Sequence, residues 1–252
     1  MSSAEMFVET CEYLTNSCEK ILLEIAALTT KLLNDNQTQL RQIKWCDGES
    51  NTDTEFSELA CKCAEEAWLL LVKRAYPNLT TITMNASIPD IHCKFSLNGK
   101  IIKVLKNKIE LKSSKNHTMP GSTIGKLDIN QPMIYCRRPN IANEHYEVRY
   151  GQYHNAMGES DLELFQDRTP RPPLNFTKLL PSSQMDKMEI IYSHKKKNEW
   201  IPHYGKCAVN RLKHNVSYSW QDTLTKSIIF EALQNIETIE DIYKLRESVR
   251  PN

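Results

Sequence analysis

The chain lacks an apolar run long enough to cross a bilayer, and its N-terminus lacks the basic and then apolar segments of a secretory signal. It also has little net charge, +1 over 252 residues. A chain of this length can bury a full hydrophobic core. We therefore expect a globular, cytoplasmic protein that needs no membrane.

Cysteine is present, but not at the spacing that zinc or a disulfide scaffold requires. The chain has eight cysteines, too few for a secreted disulfide scaffold of this length. Only one residue separates Cys61 from Cys63, and no second pair follows at finger-like spacing. We expect buried, reduced thiols.

The small net charge conceals two oppositely charged segments. Residues 1–66 carry thirteen acidic and five basic side chains, a net charge of −8, whereas residues 94–126 carry eight lysines and one glutamate, a net charge of +7. A dense basic segment favours contact with a polyanion such as DNA. The alternative is a solvated surface, where strands also use lysine.

The basic segment contains a predicted β-hairpin. After Pro89-Asp90, polar and apolar residues alternate through Phe95, as in a strand with one buried face. Asn98-Gly99 is the commonest two-residue hairpin turn, and we expect the return strand over residues 101–112.

The hairpin carries two carboxylates and a lysine. Glu110 and Lys112 are two residues apart and share a face, so they can converge with Asp90 at one end of a sheet. Carboxylate oxygens are the ligands that Mg²⁺ prefers, and a lysine can position a water molecule or offset phosphate charge. This set fits metal-dependent cleavage of phosphodiesters. The alternative is an amphipathic hairpin with surface charges.

Pro89-Asp90 together with Glu110-Leu111-Lys112 resembles the PD-(D/E)xK signature, which type II restriction endonucleases share with several resolvases and repair nucleases. The resemblance covers residues 56–135, about a third of the chain. It implies an α/β fold with a restriction-endonuclease-like core, in which helices flank a mixed central β-sheet. It also implies Mg²⁺ on Asp90 and Glu110, with Lys112 as a catalytic residue.

A helix is predicted before the hairpin, from Phe56 to Ala75, with Pro77 ending it. In the nuclease family such a helix often contributes another acidic residue. The candidates are Glu58, Glu65 and Glu66, and we choose Glu66 because it lies at the edge of the apolar stripe. All three also fit solvated helix charges.

The first 45 residues form a predicted helical arm, separated by a polar linker from a nuclease core at residues 55–252. Apolar residues recur at alternating spacings of four and three from Phe7 to Leu32, which is a heptad seam. The seam can pair with a second subunit as a homodimer, or it can pack on the core. Cutting both strands of a palindrome calls for two active sites.

Candidate DNA contacts follow the return strand, in a predicted polar loop at residues 113–124. The first four are Ser113, Ser114, Lys115 and Asn116. Lys126 and Gln131 lie at the start of the next element, where Gln131 also fits a surface amide. We expect the serines, lysines and asparagine to contact phosphates of double-stranded DNA, and Gln131 to contact the attacking water or the DNA.

The C-terminal region has the composition of a DNA-recognition region. Residues 143–178 combine Tyr, His, Arg and Asn, whose side chains bind base edges. Arg168 and Arg171 project from a proline-stiffened loop and are candidates for guanine contacts, although the loop also fits a surface crossover. Two helices are predicted beyond it, one from Ser219 and one from Ile239 to Ser248.

These observations predict a Mg²⁺-dependent, sequence-specific endonuclease of the type II restriction class. The large C-terminal region favours this class over junction resolvases. Two alternatives stay open. One is a structure-specific repair or recombination nuclease, and the other is a non-catalytic DNA-binding protein with a degenerate nuclease core.

Overall fold

In a computed structural model of the protein, helices form where apolar residues recur at helical spacing. The structure describes residues 3–45, 54–104, 106–122, 128–139, 144–157, 173–182 and 238–248, with residues 193, 227, 229, 230 and 234. The α-helices are α1 (Ser3–Asp35), α2 (Gln37–Gln42), α3 (Thr54–Arg74), α4 (Tyr153–Ala156) and α5 (Ile239–Ser248). Short 3₁₀-helices cover Pro77–Leu79 and Phe176–Lys178.

The strands form one large sheet and a small two-stranded one. The strands are β1 (Ile82–Ser87), β2 (Ile91–Leu97), β3 (Lys100–Ile102), β4 (Lys108–Ser114), β5 (Thr118–Pro120), β6 (Pro132–Arg137), β7 (Glu147–Gln152), β8 (Pro173–Asn175) and β9 (Leu180–Pro181). The large sheet has the order β1-β2-β4-β6-β7-β9, with β3 paired to β2, and β5 pairs with β8. Among the strand pairs of the large sheet in the described residues, the β4–β6 pair is parallel and the others are antiparallel. The predicted α/β class with a mixed sheet is confirmed at this coarse level.

The two faces of the large sheet differ in character. One, the core face, is apolar and packs with α1 and α3 in a single cluster, and its buried residues include Ile91, Cys93, Phe95, Ile109, Leu111, Ile134, Cys136, Val148 and Tyr150. Because successive side chains of a strand point to opposite sides of the sheet, the residues between these lie on the other face, which we call the polar face. The strand register assigns to it His92, Lys94, Lys108, Glu110, Lys112, Ser114, Tyr135, Arg137 and Arg149.

The heptad seam of α1 is buried inside the chain. Leu14, Ile21 and Ile25 have no exposed surface and belong to the same core cluster as the sheet. This is the second of the two arrangements predicted for the seam. Residues 3–45 are therefore part of the layer that covers the sheet, because the apolar stripe of α1 packs in the same core cluster as the strands.

The predicted hairpin forms, with one correction. Asn98 and Gly99 have positive φ angles of 50° and 77°, as the two-residue turn requires. The return strand is not continuous, however, and splits into β3 and β4. The side chain and the carbonyl of Asn107 pair with the backbone of Cys93 at 2.8 Å each, so one asparagine replaces strand pairing at the break.

Side-chain amides of helix residues satisfy the backbone beside β7. Asn34 both donates to the carbonyl of Val148 and accepts from its N–H, at 2.9 Å each. Gln37 does the same for Tyr146, at 2.8 and 3.0 Å. These pairs imitate a strand ladder and hold the end of α1 on the sheet.

Residue contacts divide the chain into two units. The first contains Met1–Thr118, Asn130–Ala156 and Asn175–Ser193, and thus the large sheet with α1 and α3. The second contains Met119–Ile129, Met157–Leu174 and His194–Asn252. In the part of the chain that the structure describes, no helix combines the length and apolar character needed to cross a membrane.

The predicted helix from Ile239 to Ser248 is confirmed as α5. The side chains of Thr238 and Asp241 each accept a hydrogen bond from the other's backbone N–H, at 3.2 and 3.0 Å. This reciprocal capping satisfies two donors that the first turn leaves unpaired. Most of the helix predicted from Ser219 lies outside the described residues.

Candidate active site

Asp90 occupies a tight bend immediately before β2. Its φ angle is 58°, in the left-handed region that aspartate tolerates better than most residues. Its Oδ1 accepts a hydrogen bond from the backbone N–H of Leu111 at 2.9 Å. This contact ties the start of β2 to the middle of β4, so the carboxyl group is fixed by the fold.

Glu110 and Lys112 lie on the polar face of β4, as predicted. Glu110 is only 7% exposed, although its strand neighbours Ile109 and Leu111 point to the core face. The ammonium of Lys112 contacts Glu110 Oε1. The sheet therefore brings together the three residues that the sequence had selected.

A fourth residue, Lys108, joins them. Its Nζ lies 2.7 Å from Asp90 Oδ2 and 2.8 Å from Glu110 Oε2. From the sequence, Lys108 was only one of the eight lysines of the basic segment. The signal was present, because Lys108, Glu110 and Lys112 alternate along β4 and so share one face.

The lysines decide the charge state of this cluster. Burial alone would raise the pKa of Glu110, but the ammonium groups of Lys112 and Lys108 outweigh it, and the pKa lies below its usual range. Burial likewise acts to lower the pKa of Lys108, yet its hydrogen bonds to Asp90 and Glu110 raise it. Both groups are charged at neutral pH.

The structure distinguishes the glutamates proposed on the preceding helix by their burial and contacts. Glu66 is exposed, and its charge acts on Cys63. Glu65 instead accepts a hydrogen bond from the Ala86 N–H on β1 at 2.8 Å. With Asp90 it also helps to raise the pKa of the Cys61 thiol to about 11, an effect due first to burial. Glu65 and Asp90 therefore both act on the Cys61 thiol, which places both charges near that residue.

Glu58, the third candidate, is also among the charges that act on Cys61, but its side chain is exposed. Helical spacing placed Glu66 at the edge of the apolar stripe and Glu65 nearer the solvent, whereas in the structure Glu65 is half-buried and Glu66 is exposed. The position of β1 separates them, since its backbone offers a donor to Glu65.

The oxygen atoms of this cluster are of the type that Mg²⁺ binds. Asp90 and Glu110 supply hard carboxylate oxygens, and the position between Oδ2 and Oε2 already holds a cationic group. Mg²⁺ commonly binds through one or two carboxylates and keeps water or phosphate in its other positions. Among the described residues, no group of three or more His, Cys, Asp or Glu side chains has metal-binding geometry.

The predicted DNA contacts after β4 lie farther from the cluster than expected. The predicted loop is partly strand, because β4 continues through Ser113 and Ser114. At about 3.3 Å per residue, Lys115 lies roughly 10 Å from Lys112 along the chain. Ser114 Oγ accepts from the Asn116 N–H at 3.0 Å, so these residues shape the turn after the strand.

Gln131 does reach the cluster. Its Nε2 lies 3.4 Å from Glu110 Oε2, beside the Lys108 ammonium. It is placed there because it immediately precedes β6, which pairs in parallel with β4. Lys126, Arg168 and Arg171 lie outside the described residues.

A second charged cluster lies on the polar face, at β6 and β7. Arg149 contacts Glu147 Oε1 at 2.6 Å and donates to the Thr177 carbonyl at 3.2 Å. Arg137 contacts Glu147 Oε2 at 3.4 Å, and both guanidinium groups lie over the ring of Phe176. The cluster could not be predicted from the sequence, because Arg137 and Phe176 reach Glu147 and Arg149 on β7 only through the tertiary fold.

No protein-family model, no curated protein and no solved structure matches this chain. Its candidate site therefore stands on its own geometry and on the short motif that it contains.

Proposed function

We propose that the protein is a Mg²⁺-dependent DNA endonuclease with a restriction-endonuclease-like core, of the type II restriction class. The observation that carries the proposal is the convergence of Asp90, Glu110 and Lys112 at the junction of β2 and β4. Two ionised carboxylates beside a lysine are what metal-dependent cleavage of phosphodiesters requires. An ordinary surface salt bridge does not bury its glutamate, so the near-complete burial of Glu110 supports the proposal of a functional site.

Each residue has a role in this proposal. Asp90 and Glu110 would hold Mg²⁺, which when bound offsets negative charge on the phosphate and lowers the pKa of a water molecule. Lys112 is held on Glu110 Oε1 and can donate a hydrogen bond to the attacking water or to a phosphate oxygen. Gln131 is placed to orient Glu110 or the same water. Glu65 replaces Glu66 as the helix carboxylate that can adjust the charge near Asp90.

The substrate class follows from the surrounding charge. The segment from residue 94 to residue 126 has a net charge of +7 and contains the cluster, so a polyanionic backbone would be attracted to it. Lys115 and Lys126 are assigned to phosphates, and Arg168 and Arg171 to bases. A homodimer would cut both strands, but it would pair through a surface other than the buried seam of α1.

One observation favours the non-catalytic alternative. Lys108 bridges the oxygens that would bind a metal, so the cluster is electrically balanced without one. A DNA-binding protein with a degenerate nuclease core would have this arrangement. A structure-specific repair nuclease would share the site and differ only in its DNA contacts.

The deciding experiment incubates the purified protein with unmethylated phage DNA and Mg²⁺, with a chelator as control. Discrete fragments support the restriction class, whereas a smear supports a nuclease without sequence specificity. Cleavage only of branched or flapped duplexes would support the repair alternative. DNA binding without cleavage in any of these assays would overturn the catalytic proposal.

A further inference from the structure

The four carboxylate oxygens of the candidate site form two pairs according to their partners. Asp90 Oδ1 accepts from the backbone of Leu111, and Glu110 Oε1 accepts from Lys112. The two remaining oxygens, Asp90 Oδ2 and Glu110 Oε2, both contact Lys108. The fold and Lys112 thus engage one oxygen of each carboxylate, and Lys108 links the other two.

These two oxygens define one position for a cation. Mg²⁺ binds oxygen at about 2.0–2.1 Å, and an ammonium group needs the same lone pairs at hydrogen-bond distance. The two cations also repel each other strongly at such a separation. A divalent ion that bridges Asp90 and Glu110 must therefore displace the Lys108 ammonium.

The side chain of Lys108 is able to leave. The exposed fraction of the Lys108 side chain is 34%, against 9% for the side chain of Glu110. Lys108 is also the first residue of β4, next to the break in the return strand. A lysine carries its charge on four flexible methylene groups, so the ammonium can move into solvent while the backbone stays in place. Glu110 would keep its contact with Lys112.

We propose that Lys108 is a displaceable counter-ion of this site. Without metal, its ammonium holds Asp90 and Glu110 together and offsets their repulsion. Divalent binding moves the ammonium outward, toward the side from which a DNA phosphate would approach. The inference rests on the proposed function, because it assumes a divalent ion at these carboxylates, and it assigns a regulatory role to a residue outside the nuclease motif.

The test is calorimetric titration of Mg²⁺ into the full-length protein in the absence of DNA. Lys108→Met removes the charge and keeps the length of the side chain, and it should bind Mg²⁺ roughly tenfold more tightly than the wild type. Lys94→Met is the matched control. Lys94 is an exposed lysine of β2 that lies on the same polar face of the sheet as Lys108. Its loss should leave the affinity for Mg²⁺ unchanged.

Thermal denaturation of the same proteins checks the fold. The metal-free Lys108→Met variant should melt below the wild type, because two carboxylates then face each other with one lysine fewer. Mg²⁺ should raise its melting temperature more than that of the wild type. Lys108→Gln, which is shorter and polar, provides a second variant and should change the Mg²⁺ affinity and the melting temperature in the same directions as Lys108→Met.

The outcomes separate this inference from the proposed function. If the wild type binds Mg²⁺ and cleaves DNA but neither Lys108 variant binds it more tightly, the inference is wrong and the function stands. If the variants bind Mg²⁺ and the wild type does not, the inference is supported and the non-catalytic alternative gains. If none of the proteins binds Mg²⁺, the proposed function fails and the inference fails with it.

Discussion

Two clusters of oppositely charged side chains, each with cations and carboxylates in contact, lie on the polar face of the central sheet. At β2 and β4, Lys108 and Lys112 contact the carboxylates of Asp90 and Glu110. At β6 and β7, two arginines share one carboxylate and stack on the ring of Phe176. Each cluster contains two cations, but the first has two carboxylates and the second has one.

The partners of the cations show what each cluster does. Arg149 also donates to the Thr177 carbonyl, so its hydrogen bonds fasten the Phe176 segment to the sheet. The side chains of Lys112 and Lys108 are 21% and 34% exposed, much as those of Arg149 and Arg137 are 22% and 30% exposed. The arginines also lie over the buried ring of Phe176, whereas the lysines contact carboxylates, and an ion pair at a partly exposed position is weak enough to exchange its partner. Four predictions test this difference.

The largest expected effect is on cleavage. Glu110→Gln removes a candidate metal ligand while keeping its shape, so Mg²⁺-dependent cleavage should fall by about a thousandfold. DNA binding, measured by fluorescence anisotropy, should survive. Glu147→Gln is the control from the other cluster and should leave cleavage within a few-fold. A larger loss in the Glu147 variant would mean that the site was assigned to the wrong cluster.

The second prediction concerns stability. Phe176 is fully buried, and its ring contacts that of Tyr135 edge to face at 5.2 Å. Phe176→Ala should lower the free energy of unfolding by about 3–5 kcal/mol in denaturant titrations. Lys112→Met should cost much less, since Glu110 would keep Lys108 as a partner. Equal losses in the two variants would contradict the structural role of the arginine cluster.

The third prediction uses alkaline pH. Burial raises the pKa of Tyr135 to about 12, so its contribution to stability is complete below the unfolded pKa of about 10 and is lost as pH rises toward 12. Tyr135→Phe cannot ionise, and its loss of stability between these pH values should be smaller by about 1–2 kcal/mol. The exposed Tyr243→Phe serves as control and should show the wild-type loss. Identical alkaline curves for Tyr135→Phe and the wild type would show that this ring is not buried as described.

The smallest effect is expected at the helix carboxylates. Glu65→Gln keeps an oxygen for the Ala86 N–H but removes a charge near Asp90, so cleavage should fall about tenfold with little change in stability. Glu66→Gln should have no effect on cleavage, because that side chain is exposed on the helix. Cleavage rates at saturating Mg²⁺ separate the two. A larger effect at Glu66 would restore the choice made from the sequence.

The sequence predicted local features well. The alternation along β2 and β4, the positive φ angles at Asn98 and Gly99, and the span of α3 all agree with the structure. Each depends on residues a few positions apart, where side-chain periodicity and turn chemistry act directly. The convergence of Asp90 with Glu110 was predictable for the same reason, because a short hairpin joins them.

The sequence did not predict features that depend on pairing between distant segments. Lys108 was overlooked although it alternates with Glu110 and Lys112 along β4, because no local pattern shows that its ammonium lies between two carboxylates. The arginine cluster requires β6 to pair with β7 and the Phe176 segment to pack on both, an arrangement that no local pattern specifies. The role of the α1 seam was open until its partners were known.

By itself, the sequence determined which residues share a face, where the turn forms and which side chains have the chemistry for a site. The tertiary structure decided which of those side chains meet. It selected Glu65 over Glu66 through the backbone of β1, buried the α1 seam within the chain, and put Lys108 between two carboxylates. The physical reason is that periodicity is a property of neighbouring residues, whereas contacts between distant ones follow from the burial of apolar surface by the whole fold.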